Sequence, residues 1–332
     1  MLDHCDDEVL SKESERVIEI SKPGDIMKSE CSSVIQRALA IAASLLAMTI
    51  AFTCLGLAGD VVAARDGKRP AKEFEDFDPK TFDRSTLINN KWFPLKPGTR
   101  FVYEGFTNEE GKSIPHRVVS TVTDLTKVIG GVRTVVCWDQ DYSAGKLEEM
   151  EIVFFAQDND GNVWHLGEYP EVYEDGKLVA VPVWIHGIQD GRAGIMMKAE
   201  PRLGMPSYSE GWAPTVPWTD RGVVYQMGQK TCVPVDCYED LLVIAETSRE
   251  EPDAHQLKYY ARGVGYVRVG WRGEGEKTKE TLELVKIEQL GPEALAEARA
   301  EVVKLEKRAY EIGKKVYART SPAEHTPGAQ GQ

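Results

Sequence analysis

Five side chains able to hold a metal or move a proton fall in one stretch of the chain: His165, Glu168, His186, Asp190 and Glu210. Trp164, Trp184 and Trp212 stand beside them. Imidazoles and carboxylates together can ligate a divalent cation or act as acid and base. Indole rings add a flat apolar surface for an organic ligand. These eight residues are the candidate binding set, with no residue assigned a catalytic role and no cofactor identified. Their spacing matches no established ligand motif. His165 and Glu168 are three apart, so an extended strand would aim them at opposite faces unless it kinks at Gly167. The plainer alternative is a scatter of surface and half-buried polar residues.

The sequence has no Gly-x-Ser-x-Gly, P-loop, dinucleotide fingerprint or His-Glu-x-x-His. Asp158, Asp160 and Asn162 resemble the start of a calcium loop, but Val163 stands where its glycine belongs and Tyr169 where its final glutamate belongs. A hairpin turn explains that cluster. Met196, Met197 and Met205 could serve a soft metal, and packing under a glycine-rich segment explains them equally well. The formal charge of −13 speaks against a nucleic-acid partner.

The elements that would carry such residues are strands. From Asn89 to about Gln289, short β-favouring runs alternate with glycine-containing turns, as in HRVVSTVTDLTKV, Gly130-Gly131 and VRTVVCWDQDY. Val132, Thr134, Val136 and Trp138 alternate onto one face, as do Met150, Ile152 and Phe154. The predicted fold class is mainly β: a curved antiparallel meander, either open barrel or sandwich, with a long C-terminal α-helix. Between about Ile185 and Asp220 the pattern breaks into Gly and Pro, predicting a long irregular loop over a concavity. Gly291-Pro292 opens the helix, and Leu295, Ala298, Val302, Leu305, Ala309, Ile312 and Val316 form one narrow apolar seam along it. That seam predicts packing on the sheet; self-association through 292–318 is the alternative.

The N-terminal part reads as an address. Residues 38–58 carry no charge, follow Lys28 and Arg37, and precede the small residues Val62-Ala63-Ala64. They are long enough to remain as a membrane anchor if uncleaved, with a lipoprotein signal at Cys54 as a third reading. The acid-rich residues 1–26 suggest an upstream start, with Met27 opening an ordinary signal peptide. Export to the periplasm or cell envelope is expected in each case. Ten acidic and five basic residues leave with 1–64, so the remainder carries −8. The expected organisation is an export segment (1–64), a linker (65–87), a β domain (88–290), the helix (291–319) and a disordered tail (320–332). Cys232 and Cys237 flank a four-residue connection, where a disulfide or two buried thiols would fit. Cys137 reads as a small buried residue.

Five segments taken in order, FPLKPGTRFVYEG, FFAQDNDGNVWHLGE, GRAGIMMKAEPRLG, VPVDCYEDLLVI and LKYYARGVGYVRV, resemble a family of exported bacterial proteins of unknown function. Its members sit mostly behind signal peptides or lipoprotein signals. The resemblance covers residues 88–289 and implies an antiparallel β fold outside the cytoplasm, with no activity to carry over. His165 departs from it where an aromatic residue is usual, and Cys237 where a small or Thr-like turn residue is usual. The Pro-Gly-Thr opening is more distantly similar to β-rich periplasmic carriers with an apolar concavity. The leading expectation is therefore an exported β-domain binding a small or apolar ligand. The alternatives are a metal-dependent hydrolase using His165, His186, Asp190 and Glu210, and an envelope structural or interaction module.

Overall fold

A computed structural model describes residues 72–109 and 111–326 of the chain. The export segment, residues 65–71 of the linker and residues 327–332 of the tail lie outside the described residues. Turn glycines at the predicted places divide the chain into strands. Five long ones come first: β1 (Thr99–Glu109), β2 (Lys112–Ile129), β3 (Val132–Ser143), β4 (Lys146–Gln157) and β5 (Val163–Glu174). Five short ones follow: β6 (Lys177–Ala180), β7 (Trp184–Ile185), β8 (Arg192–Met197), β9 (Tyr208–Ser209) and β10 (Gly211–Trp212). Then come β11 (Arg221–Cys232), β12 (Cys237–Thr247), β13 (His255–Ala261), β14 (Gly265–Arg272) and β15 (Thr281–Gln289). Helix α1 (Pro292–Ile312) and the short β16 (Glu324–His325) complete the set.

All sixteen strands belong to one sheet, in the order β10-β8-β5-β4-β3-β2-β1-β15-β14-β13-β12-β11-β9, with β16 on β2 and β6 and β7 on β5. The two strands that end this path are neighbours in sequence. Tyr208 pairs with Gly222 and Ser209 with Arg221, whereas Gly211 pairs with Ala193 and Trp212 with Arg192. The chain turns a corner at Glu210 and bridges the two edges, so the curved sheet becomes a nearly closed barrel. That bridge removes the unpaired edges an open sheet would present. Residues 185–220 are thus not an irregular roof. They hold β7 to β10 and form the seam wall; β7, β9 and β10 are two residues each, too short to show any periodicity, and β8 spans six.

The seam depends on close backbone approach. A Cβ on Gly194 would lie 2.3 Å from the carbonyl carbon of Glu210 and from the amide nitrogen of Gly211. No side chain fits there.

The outer face of β2 to β5 is covered. Leu295, Ala298, Val302, Leu305 and Ala309 of α1 pack in one cluster with Leu125, Ile129, Phe154, Leu166 and Tyr169. The apolar seam of the helix is therefore occupied by the barrel, as its single-sided periodicity predicts. Polar clamps fix it at two points. Glu171, fully buried on β5, accepts a two-pronged bond from Arg308, with Nη2 to Oε2 at 2.8 Å and Nε to Oε1 at 3.0 Å. Lys127, fully buried on β2, donates to Glu306 at 2.7 Å, to the Tyr310 hydroxyl at 3.1 Å and to the Ser321 carbonyl. Its ammonium also lies 4.5 Å from the centre of the Tyr317 ring.

Three boundaries differ from expectation. Residues 72–87 of the predicted linker pack on the barrel, with Phe77 and Phe82 against Trp164 at 5.5 and 6.0 Å between ring centres. Their aromatic residues compensate for the missing aliphatics. The tail is ordered as far as Thr326: Glu324 pairs with Thr126, His325 pairs with Leu125, and Arg133 binds Glu324 at 2.8 Å. The helix itself ends at Ile312 rather than 319, and a short 3₁₀ turn follows at Tyr317–Arg319. Cys232 and Cys237 are disulfide-bonded across the β11–β12 hairpin, and Cys137 is a buried free thiol.

Two substitutions test this account. Gly194→Ala is expected to open the seam and lower the denaturation midpoint strongly, with proteolytic cleavage appearing near 208–218. Gly270→Ala, whose Cβ would meet only Tyr259 at 3.7 Å, should leave both unchanged. Glu306→Ala strands the Lys127 ammonium inside the protein and should cost about 3–5 kcal/mol in urea unfolding, whereas replacing Lys127 and Glu306 together by Met and Leu should cost far less.

Candidate functional site

The barrel interior changes character along its length. On β3 the inward side chains run Val135, Cys137, Asp139, Asp141; on β4 they run Phe155, Val153, Glu151, Glu149. The register sets Val135 opposite Phe155, Cys137 opposite Val153, Asp139 opposite Glu151 and Asp141 opposite Glu149. One end of the lumen is hydrocarbon and the other is carboxylate. β12 repeats the gradient with Leu242, Ile244 and Glu246. At the apolar end, the segment before β1 inserts Trp92, Phe93 and Leu95 into the core formed by Val135, Val153, Phe155, Leu242, Ile244 and Tyr260.

Above that floor lies a cavity of about 1000 Å³, at the upper end of the range for small-molecule sites. Twelve of its described lining residues are Asp or Glu, against two Lys. Aromatic rings interrupt the acid: Phe93, Phe155, Trp218 and the stacked pair Tyr103 and Tyr266, whose centres are 4.4 Å apart.

His165, Glu168 and Glu210 of the candidate set line this cavity. His165 and Glu168 face the same way because the strand bulges between them. The register slips between Phe154 and Phe155, and Gly167 takes a φ of +143°, a conformation that favours glycine. The His165 Nε2 to Glu168 Oε2 distance is 3.5 Å. His165 packs against the rings of Phe155, Trp184 and Trp218 at 5.2, 4.9 and 5.1 Å. Both its ring nitrogens, and Oε1 of Glu210, are buried with no hydrogen-bond partner. Trp184 is the cross-strand neighbour of Glu168 and forms part of the wall behind His165.

The other candidates lie elsewhere. Trp164 points outward, donates to Asp158 at 2.7 Å and packs on Phe77 and Phe82. The Asp158 carboxylate also accepts from the backbone and side chain of Asn162, both at 2.8 Å, which is turn chemistry rather than calcium chemistry. His186 stacks on Phe77 at 4.2 Å and accepts from the amide of Ala193 at 2.9 Å. Asp190 accepts from the Thr215 hydroxyl at 3.0 Å. Trp212 lies between Phe74 and Arg249. His165, His186, Asp190 and Glu210 do not converge, and no group of three or more His, Cys, Asp or Glu among the described residues is placed to hold a metal.

The carboxylates that do converge come from alternate positions of DQD and EEME, which match no motif. Burial pushes Asp139 up to about 6 and Glu149 up to about 7, with Asp141 and Asp139 adding to the effect on Glu149. Burial and the neighbouring acids raise Glu151 and Glu168 well above the usual carboxylate range. Across the lumen, burial lifts Asp220 to about 7 and, with Glu246, raises Glu210 well above its usual value. Lys258 reaches into this second group, 2.6 Å from Glu246. Burial works against its charge, but Glu246 and Glu210 outweigh that and raise its pKa. His116 sits between Asp141 and Glu280, with the latter 2.9 Å away. Burial opposes its protonation too, yet the two carboxylates raise it to about 10. Burial lowers His165 to about 3, so it is neutral at pH 7.

These shifts fix a sign for the pH dependence. A carboxylate whose pKa is raised by folding holds its proton more tightly in the native state, so stability falls as pH rises through the folded value. His116, also raised, adds stability below its ordinary value of 6.5 and loses it towards 10. His165 and His186 act in the opposite sense only below 6.5. Between pH 6.5 and 8.5 both carboxylates and His116 act in one direction. The unfolding free energy should therefore fall steadily across that window, by about 1.4 kcal/mol per pH unit for each proton held in excess, and the thermal midpoint with it. Glu151→Gln with Glu168→Gln should raise the midpoint at pH 8.5 and flatten the slope, as read by scanning calorimetry.

No protein-family model matches this chain, and no curated protein matches it in sequence. Two solved structures show similarity. One is a Bacteroides fragilis protein assigned as exported and as having a YmcC-like fold, at 13% identity and a TM-score of 0.35, covering 59% of this chain and 98% of that one. The other is a Parabacteroides distasonis protein assigned as a lipoprotein, at 12% identity and a TM-score of 0.32, covering 59% of this chain and 97% of that one.

Proposed function

We propose that this chain is an exported β-barrel protein that binds a small molecule in its lumen. The observation that carries the reading is the cavity of about 1000 Å³ whose wall holds buried polar atoms without partners, at His165 and Glu210. Such atoms cost about 1–3 kcal/mol each when left unmade, and a bound molecule that supplied their partners would recover that energy. Export is supported by the uncharged run at 38–58 with basic residues before it and small residues after it. Among the described residues no helix is long and apolar enough to cross a membrane. The acidic wall turns the expectation of an apolar ligand towards a molecule with both polar and hydrocarbon parts. Rings at the floor would hold the hydrocarbon.

Native mass spectrometry of the protein purified from its own envelope should show a retained small-molecule mass. Ser120→Trp places an indole in the lumen from a small inward-facing position and should abolish that retention while leaving the circular dichroism spectrum intact. Recovery of unliganded protein alone, or retention that survives Ser120→Trp, would sink the reading.

A further inference from the structure

Among the described residues the carboxylates of the lumen form no metal site, and the four on β3 and β4 are half-buried. Asp139, Asp141, Glu149 and Glu151 face one another across β3 and β4, and Glu168 follows on β5. Directly opposed like charges destabilise a strand pair, so this arrangement costs the empty protein free energy. The two cations that pair with lumen acids at close range are already engaged: Lys258 with Glu246, and His116 with Asp141 and Glu280. Asp139 has the Ser120 hydroxyl and the longer-range charge of Lys258, and Glu168 has His165 and the Trp184 indole beside it, whereas the charged neighbours of Glu149 and Glu151 are acids alone.

Their spacing decides the kind of cation. Successive inward positions on a strand are about 7 Å apart, so the Asp139–Glu151 level and the Asp141–Glu149 level form two separate anionic stations. A divalent metal needs oxygens converging to about 2.0–2.6 Å from one point, and no such group exists among the described residues. Two ammonium groups joined by a short alkylene chain would span the two levels. Beside the acids, the faces of Tyr266 and Phe155 offer a surface that favours both methylene groups and cations. Glu210 and His165, buried to 2 and 3% exposure with unpartnered atoms, supply an acceptor and a neutral imidazole at the same cavity.

Resting on the lumen-binding reading above, we propose that the ligand class is a linear aliphatic polyamine, its ammonium groups paired with the Asp139–Glu151 and Asp141–Glu149 levels and with Glu168. The bound amine replaces the missing cations of the lumen, so binding and relief of charge repulsion are the same event.

Spermidine is the probe, titrated calorimetrically into the full chain at pH 8 and low salt. A single saturable site is expected, weakened at least tenfold by Glu151→Gln with Glu168→Gln and unaffected by Glu301→Gln on the outer surface of α1. The same concentration of 1,8-octanediol, a neutral chain of comparable length, should not bind. Magnesium at equal ionic strength should displace spermidine only weakly. Absence of saturable binding, equal binding of the diol, full displacement by magnesium, or indifference to the double Gln variant would each overturn the polyamine assignment. Because the Gln variant is close to isosteric, its thermal midpoint reports whether it has folded. Retention of a non-amine mass that Ser120→Trp abolishes would leave the lumen-binding reading standing while removing this one.

Discussion

The opposition of Asp139 to Glu151 and of Asp141 to Glu149 across one strand pair is the constraint that the rest of the molecule accommodates. Four carboxylates held there in the wall of a closed sheet repel one another and lose hydration. A chain that builds such a wall has to recover the free energy elsewhere. It does so first at the other end of the same strands, where Val135, Val153, Phe155, Leu242, Ile244 and Tyr260 close over Trp92, Phe93 and Leu95. The barrel is amphipathic along its axis: one half supplies cohesion and the other half is free to carry charge.

Cohesion comes also from outside the wall. β3 and β4 are buried on both faces over their apolar halves, because α1 and the 72–87 segment cover what would otherwise be the wet side of the sheet. The helix is held to that face by apolar contacts and by two charge pairs, the buried Lys127–Glu306 and Arg308–Glu171, in which only the carboxylate is buried. Glu306 also accepts from the Tyr317 hydroxyl at 3.0 Å and from the amide of Ala323 at 3.0 Å, so one carboxylate ties the helix to the barrel and to the returning tail. Buried pairs of this kind contribute more to fixing an arrangement than to net stability. Here the arrangement fixed is the backing of the strands that carry the acidic wall.

Much of this was legible in the sequence, and the parts that were not have definite causes. Hairpin turns, antiparallel meander and terminal helix follow from glycine placement and from periods of two and 3.6. Alternation identified Val132, Val136 and Trp138 as one buried face, which the structure places under the outer cover. The opposite face of the same strand, Val135-Cys137-Asp139-Asp141, was equally visible as a two-residue period. Aspartates on alternate positions normally mark the wet side of a sheet, so this pattern does not by itself announce an interior. In a closed sheet both sides are inside something, and that follows from closure rather than from local pattern. Closure in turn rests on β9 and β10, two residues each, between Pro- and Gly-rich turns where no periodicity can register. The pairing of His165 with Glu168 depended on whether Gly167 would carry a bulge, and the spacing of the two residues could pose that question without answering it.

The lumen breaks local rules of strand design: among the described residues the charged groups acting on Glu149 and Glu151 are all acids. Sites where a structure departs from its own consistency are where function is expected to reside. Three features coincide at this one place: opposed like charges, buried nitrogens and oxygens without partners, and room for a small molecule. A stability defect alone would explain the first, and a packing defect the third. A guest of complementary charge, as proposed above, would neutralise the wall, complete the hydrogen bonds and fill the space. The apolar floor then acquires a second role, because the rings that stabilise the closed end are also the surface against which the hydrocarbon part of such a guest would rest.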